Sequence, residues 1–511
     1  MAHGADLPHL PVRHKGLLTL AVMAAVVMQV LDSTIANVAL PHMEAALGAT
    51  PESVTWVLTS YIVAAAMAIP LSGWLASRIG TRRLFLLSVV TFIVASMLCG
   101  LARSLPMMVA ARILQGVGGA FLSPLGQSIM FNINRPSEHG KAMAYYGMGM
   151  MVGPIVGPML GGWLTDQFDW RWVFFINVPF GLVALVGLAI LLPRSDESPR
   201  RVDLLGWALI ATAVGSFQLL LDRGERVDWF NSTESWIEAG LAASALWMFL
   251  VHSATVRLPL FPPAILRDRN LLTGCLFMMM IGMVQLSGMA LLPSLLQTLL
   301  GYPVMTAGVV LGSRGICMMA AMWLAGRLVR WCDARLLIGI GMVLVDYSLW
   351  EMTSWSLDMD WRPIVINGAI QGLGMGLLYV PLSVLTFGTL PPRLRTDGAG
   401  LFSLARNVGG STGIAVATVM FARNSQVSHA DLGAHLTPYN LPADPTLLNA
   451  AGDAGAGVVS MINGIVSRQA AMIAYLDDFK MLMIGGIAAL PLLLLARRPA
   501  AANEPVIHAT E

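Results

Sequence analysis

At 511 residues, with 56% hydrophobic and only 12% charged side chains, the chain carries more apolar surface than a single water-soluble core could hide, which excludes an ordinary soluble enzyme and points to a lipid-embedded protein. A net charge of +2, with lysine confined to Lys15, Lys141 and Lys480, provides no basic tract of the kind nucleic-acid binding requires. The cysteines, Cys99, Cys275, Cys317 and Cys332, lie in or beside apolar runs without metal-ligand spacing, and read as small lipid- or core-facing residues.

A helix that crosses a bilayer needs about 20 mostly apolar residues. Fourteen such stretches are predicted, at 17–40, 53–75, 84–102, 106–132, 142–164, 172–193, 204–221, 236–254, 271–298, 305–329, 335–355, 362–389, 397–421 and 480–496. The first is too long for the core of a signal peptide and lacks a convincing cleavage site, so it reads as a retained helix. The seventh and fourteenth are short. With a cytoplasmic N-terminus and alternating spans, most Lys and Arg fall on the cytoplasmic side, among them Arg78, Arg82, Arg83, Arg200, Arg201, Arg327, Arg330 and Arg335. A missed span would scramble that asymmetry, so both ends are expected inside. The expected organisation is a cytoplasmic N-terminus at 1–16, a six-helix half at 17–200, an inserted helix pair at 201–256, a second six-helix half at 257–496 and a cytoplasmic tail at 497–511. An external loop at 422–479 belongs to the second half.

Internal repetition supports the two halves. GWLASRIGTRRL at 73–84 is echoed by GRLVRWCDARLL at 326–337, so that Gly73, Leu75 and Arg82 recur as Gly326, Leu328 and Arg335. Gln115-Gly116-Val117-Gly118 is echoed by Gln371-Gly372-Leu373-Gly374 at a similar offset. Two halves around a midplane site is the plan of a rocking-bundle transporter.

Charges inside apolar spans are expensive and mark candidate sites. Asp32 sits well inside the first span, where an acid that alternates between charged and neutral is what proton coupling requires; the alternative is an acid that merely pairs within the bundle. Arg112, in the fourth span beside Gln115, needs a partner or a wet cavity, and either biases a nearby acid or locks helices together. In the fifth span Gly149, Gly153, Gly157 and Gly161 recur at four-residue spacing, with Pro154 and Pro158 on an adjacent line and Gly162 following. Such a face admits a close backbone, and is expected to form a seam between the halves that blocks leak. Three further charges stand in the second half: Arg314, Asp346 and Arg406. Asp346 is a candidate second proton site or cation contact, and Arg314 a receptor for anionic substrate, while a structural Arg314–Asp346 pair would explain both. Gln29, Asn37, Gln115, Gln285, Gln371 and Tyr379 are candidate polar residues of a substrate cavity, which the 33 methionines would make adaptable. In the loop at 422–479, the polar part Arg423–Gly457 precedes an amphipathic stretch with Val458, Val459, Ile462, Ile465, Val466 and Ile473, expected to lie on the membrane surface or against a partner.

Four stretches carry a resemblance: LDSTIANVALP (31–41), GWLASRIGTRRL (73–84), RILQGVGGA (112–120) and GPIVGPMLGG (153–162). Through them the chain resembles the major facilitator superfamily, specifically the EmrB/QacA-type 14-helix drug:proton antiporters. The resemblance implies an all-α integral membrane fold with helices arranged 6 + 2 + 6, and proton-driven efflux of lipophilic or amphiphilic drugs across a bacterial inner membrane with no cofactor beyond the proton gradient. It ties Arg112 to proton transfer and Gly73, Arg78, Gly80, Arg82 and Arg83 to a cytoplasmic gating loop. It also implies a periplasmic adaptor (a membrane fusion protein) and an outer-membrane channel as partners. The loop departs from the family pattern at Ser77, where an Asp is usual, which puts any charge relay through that acid in doubt.

A proton-coupled uptake transporter or facilitator on the same scaffold is the alternative; the helix-5 motif and the extra helix pair argue against it. A membrane-embedded enzyme would need clustered His, Asp or Ser near one interface, and none is found. An ATP-driven pump would need Gly-Lys-Ser/Thr, whereas Gly140-Lys141 is followed by Ala142.

Overall fold

The structure is a computed structural model and describes residues 6–194, 203–436 and 453–495. Fourteen long helices occur among these residues. The first eight are α1 (Lys15–Leu47), α2 (Pro51–Ile79), α3 (Thr81–Gly100), α4 (Leu105–Asn132), α5 (Pro136–Gln167), α6 (Trp172–Leu191), α7 (Leu204–Arg223) and α8 (Thr233–Thr255). They are followed by α9 (Arg269–Leu299), α10 (Val304–Leu328), α11 (Ala334–Met352), α12 (Trp361–Gly388), α13 (Arg395–Ala434) and α14 (Asp453–Ala489). Eleven of them are long and apolar enough to cross a membrane by length and composition. The other three carry charges within their length: Arg335, Asp346 and Glu351 in α11, Asp397 and Arg406 in α13, and Asp477, Asp478 and Lys480 in α14.

Local chemistry explains the boundaries. Gly80, at φ 85° and ψ 140°, turns the chain between α2 and α3 in a conformation that a side chain would strain. Asp203, Asp268 and Asp333 each cap the following helix, α7, α9 and α11, by accepting from its first-turn backbone.

The packing repeats. In the first six helices α1 packs on α5 and α6, α2 on α4, and α3 on α4 and α6. In the last six, α9 packs on α13 and α14, α10 on α12, and α11 on α12 and α14. The two sets meet through α5 against α10 and α12, and through α13 against α2 and α4, while α7 packs on α2 and α13 and carries α8 on its outer side. Apolar burial gives little net drive between helices in lipid, so close approach of small residues sets these contacts.

The end of the bundle at which α1 begins, here the terminal end, is closed between the sets. A Cβ on Gly140 of α5 would lie 2.9 Å from the Gly326 carbonyl of α10, and one on Gly326 would lie 2.8 Å from the Gly140 carbonyl. Gly73 of α2 lies under the Asp397 carboxylate of α13. The Ser128 and Thr396 hydroxyls meet at 2.8 Å, and Arg395 donates to the Asn132 side-chain carbonyl at 2.8 Å. The echoed glycines of the sequence, Gly73 and Gly326, therefore hold the two contacts α2–α13 and α10–α5.

The region at 422–479 differs from expectation. The stretch predicted to lie on a membrane surface or against a partner is the first part of α14, continuous with the last predicted span. α13 and α14, 40 and 37 residues long, measure roughly 60 and 55 Å at about 1.5 Å per residue, against a hydrocarbon core of about 30 Å. Both therefore project beyond the far end of the bundle. Val466, Ala470 and Ala474, four residues apart, are buried, while Ile465 remains exposed. Asn424 donates to Asp477 at 3.3 Å, His429 and Asn463 meet at 2.9 Å, and the Phe421 and Tyr475 rings pack at a tilt with centres 4.5 Å apart. Of the predicted stripe, then, Val466 is buried while Ile465 and Ile473 stay exposed, and the pairing with α13 runs through the contacts at Asn424, His429 and Phe421 rather than through the whole stripe. Residues 437–452 of that loop, the junction at 195–202 and the tail at 497–511 lie outside the described residues, as do the side chains of Val458 and Val459.

Candidate functional site

Asp32 lies midway along α1 with no exposed surface. Its carboxylate accepts from Arg112 Nη1 of α4 at 2.7 Å, from Gln115 Nε2 of α4 at 2.8 Å and from Asn177 Nδ2 of α6 at 2.6 Å. The spacing of Arg112 and Gln115 places both on one face of α4. Arg112 is also fully buried; its Nε donates to the Val57 carbonyl of α2 at 2.8 Å and its Nη1 to the Gln115 carbonyl oxygen at 2.6 Å. The Arg112 guanidinium lies 4.4 Å from the Tyr61 ring centre and 5.7 Å from that of Phe174. Ser96 of α3 accepts from Gln115 at 2.8 Å and from Asn177 at 3.3 Å.

Five helices thus converge on one buried acid. Isolated in the apolar interior, either charge would be costly; held together with further hydrogen bonds they tolerate burial. What the arrangement can do is register the charge of one carboxylate. Neutralising Asp32 leaves Arg112 without its counter-ion and weakens the donors from α4 and α6 together. Sequence reasoning singled out Asp32 and Arg112, assigned Gln115 to the substrate cavity instead, and missed Asn177, Ser96 and Tyr61. Asn177, a polar amide within an apolar span, was the available signal.

A cavity lies elsewhere. A space of about 220 Å³ opens between α5, α9 and α10, lined by Met151, Pro154, Ile155, Pro158, Gln285 and Arg314 among others. Of the polar residues expected to line a cavity, it contains Gln285. Gln29 accepts from Ser123 at 2.8 Å, Asn37 is exposed, Gln115 serves Asp32, Gln371 is buried, and the Tyr379 hydroxyl donates to the Met150 sulfur at 3.3 Å.

The glycine face of α5 does not form the expected seam between the halves. Gly149 faces Met23, Gly153 faces Val30 and Leu31, Gly157 faces Thr34, and Gly161 faces Ile35, all on α1 within the same half. Gly162 faces open space. The Thr34 hydroxyl also donates to the Gly153 carbonyl at 3.1 Å. The seam between the halves is formed instead by Gly140 and Gly147 and by the side of α5 bearing Pro154 and Ile155. Four-residue spacing defines a face but not its partner, which is why the sequence could not tell the two apart. As a result α5 touches the helix of Asp32 on one side and the cavity on the other.

The remaining charges are separate from one another. Arg314 and Asp346 form no ion pair: Arg314 Nη2 and Asp346 Oδ2 are both buried without a hydrogen-bond partner. Arg314 lines the cavity between the halves, whereas Asp346 lines a small pocket inside the second half with Met342, Met375 and Gly486. Arg406 reaches from α13 toward the Met150 sulfur of α5, at 3.7 Å. Helix rotation decides which side each charge presents, and one sequence does not fix it. In the α2–α3 loop, Arg78 and Arg83 are exposed and Arg82 donates to the Ala189 carbonyl of α6. Ser77 donates to the Trp74 carbonyl of its own helix at 2.8 Å and does not stand in for an acid.

Comparison with known proteins agrees with this architecture. Residues 22–414 match the Major Facilitator Superfamily. The chain is 37% identical over 427 residues to the multidrug export protein EmrB of Haemophilus influenzae, covering 83% of this chain and 84% of that protein. It is 33% identical over 499 residues to the fatty acid resistance protein FarB of Neisseria gonorrhoeae, covering 97% and 98%. Among solved structures, the human organic anion transporter MFSD10 superposes with a TM-score of 0.58 at 13% identity, over 93% of this chain and all of that one.

Proposed function

We propose that this chain, which belongs to the Major Facilitator Superfamily and is a multi-pass membrane transporter, exports lipophilic or amphiphilic drugs in exchange for protons. The observation that carries the reading is the buried Asp32–Arg112 contact at 2.7 Å, with Gln115 and Asn177 completing the carboxylate's partners. The export proteins to which the chain is similar support the direction of transport.

A proton arriving at Asp32 removes the charge that Arg112, Gln115 and Asn177 hold. The Arg112 guanidinium, 2.7 Å from Oδ2, is the counter-charge the carboxylate meets once the proton has left. α5 carries the change onward, because its glycine face is fitted to α1 on either side of Asp32 and its proline side lines the cavity. Substrate in that cavity favours one arrangement of the halves, and protonation of Asp32 favours the other. The arginine-rich terminal end is cytoplasmic by the positive-inside rule, so the form described here is closed toward the cytoplasm. The membrane is a bacterial inner membrane. α13 and α14 then project into the periplasm, where their paired ends offer a surface for an adaptor that links the pump to an outer-membrane channel.

The test is drug accumulation in cells that lack competing exporters. Expression lowers accumulation of a lipophilic dye, and collapse of the proton gradient restores it. Raised accumulation, or export that ignores the gradient, would contradict this reading.

A further inference from the structure

The two seams between the halves are not equivalent. On one side α7 covers the junction of α2 with α13: Gln218 donates to Ser411 of α13 at 2.6 Å, and the Trp207 indole donates to the Met67 carbonyl of α2 at 3.1 Å. On the other side, among the described residues, nothing covers α5 and α10. These two helices touch at Gly140–Gly326 and again where Ile155 lies 2.4 Å from the Cβ position of Gly315. Beyond Gly315, toward the far end, Gly312 and Gly308 of α10 have nothing within 4 Å of their Cβ positions. The helices therefore diverge, and the cavity occupies the gap. Pro158, Met159 and Gly308 line the cavity and are themselves exposed. The neighbouring lips are apolar and bare, with Met159 56% and Val309 67% exposed. In a membrane protein such a surface meets lipid tails.

At the inner end of this gap stands Arg314. Its guanidinium lies over Gly288 of α9, whose absent side chain leaves room for it; a Cβ there would sit 3.0 Å from Nη1. Nη2 is buried with no hydrogen-bond partner, and no carboxylate among the described residues pairs with it. A permanent cation in an apolar cavity requires an anion or water. The walls supply methionine, proline and glycine, which suit a flexible hydrocarbon chain.

We infer that the α5–α10 gap is a lateral portal between cavity and lipid, occupied by an anionic amphiphile whose acidic head pairs with Arg314 while its tail leaves through the gap into the bilayer. The inference rests on the reading of the chain as an exporter of amphiphiles and deepens it by naming the charge class and the route. Arg314 is the residue that sets the charge preference, and the bare stretch of α10 at Gly308 and Gly312 sets the route.

The experiment uses the full chain in nanodiscs and needs no proton gradient. The probes are dodecanoate, dodecanol and dodecyltrimethylammonium, together with a dodecanoate bearing a photoreactive group at its tail end. Dodecanoate is expected to bind in preference to the other two, and Arg314→Met to weaken it about tenfold or more, as loss of a charge-assisted contact implies, while Arg314→Lys retains most of the affinity. Photolabelling is expected on Met159 and Val309 and not on the α2–α13 side. Gly308→Trp, which fills open space, is expected to abolish labelling at Met159 while the melting profile stays that of the wild type. Equal binding of the cation, affinity unchanged in Arg314→Met, or labelling shared equally by the two seams would overturn the inference. Those results would leave proton exchange with other amphiphiles intact, whereas a failure of proton exchange would leave these binding results standing, so the two readings fail separately.

Discussion

Arg112 Nη1 lies 2.7 Å from Asp32 Oδ2, and neither residue has any surface open to solvent or lipid. Removing one member therefore strands the other. Arg112→Met is expected to destabilise the protein by about 3–5 kcal/mol, because it leaves a buried carboxylate without its counter-charge. The double variant Asp32→Leu with Arg112→Met is expected to recover most of that stability and to transport nothing. Thermal unfolding in detergent, read beside a transport assay, separates the two effects.

Asn177 gives its carboxylate contact at 2.6 Å from a helix the motifs do not cover. Asn177→Ala removes a hydrogen bond to a charged group and is expected to lower stability by about 1.5–3 kcal/mol. It should also reduce export of every substrate alike, since it touches the proton site and not the cavity. A substrate-selective loss would show that Asn177 acts on the cavity instead.

The fit of α5 on α1 predicts opposite outcomes for two glycines of the same helix. At Gly153 a Cβ would stand 2.9 Å from the Val30 carbonyl carbon and 3.0 Å from the Leu31 nitrogen, whereas at Gly162 nothing lies within 4 Å. Gly153→Val is expected to cost about 1–3 kcal/mol by overpacking and to impair export, and Gly162→Ala to change neither. Expression level, melting profile and drug resistance of the two variants provide the comparison.

Closure of the terminal end depends on Gly140 and Gly326. Gly326→Leu would hold α5 and α10 apart there and favour the opposite arrangement of the halves. A cysteine placed at Gln285 in the cavity should then react with a polar thiol reagent from the terminal side, and should be protected from that side when Gly326 is intact.

The helix count and the echo of one half in the other were legible because membrane spans announce themselves by long apolar runs, and Gly73 and Gly326 mark matching helix ends. Asp32 and Arg112 were legible because charge inside such a run is costly and demands a reason. Ser96 was not, since hydroxyls are ordinary within membrane helices, and Asn177, an amide in an apolar run, signals a need for a partner without naming Asp32 as that partner. The partner of the α5 glycines was hidden for a related reason: α1 and α10 are both suitable neighbours, and the sequence carries no rotation angle. The start of α14 fits a membrane surface or a partner equally well by periodicity, and only the fold shows that it runs beside α13 with Val466 buried and Ile465 and Ile473 exposed. Arg314 and Asp346 were left as one pair among several readings, and they prove to face different spaces.

The most direct measurement is proton movement in energised inverted vesicles carrying the wild type or Asp32→Asn, challenged with anionic, neutral and cationic amphiphiles. Coupling through Asp32 predicts that substrate triggers proton release from wild-type vesicles and none from the variant, with both proteins folded. Full proton exchange and full export in Asp32→Asn would contradict the assignment and move proton coupling away from the Asp32–Arg112 site.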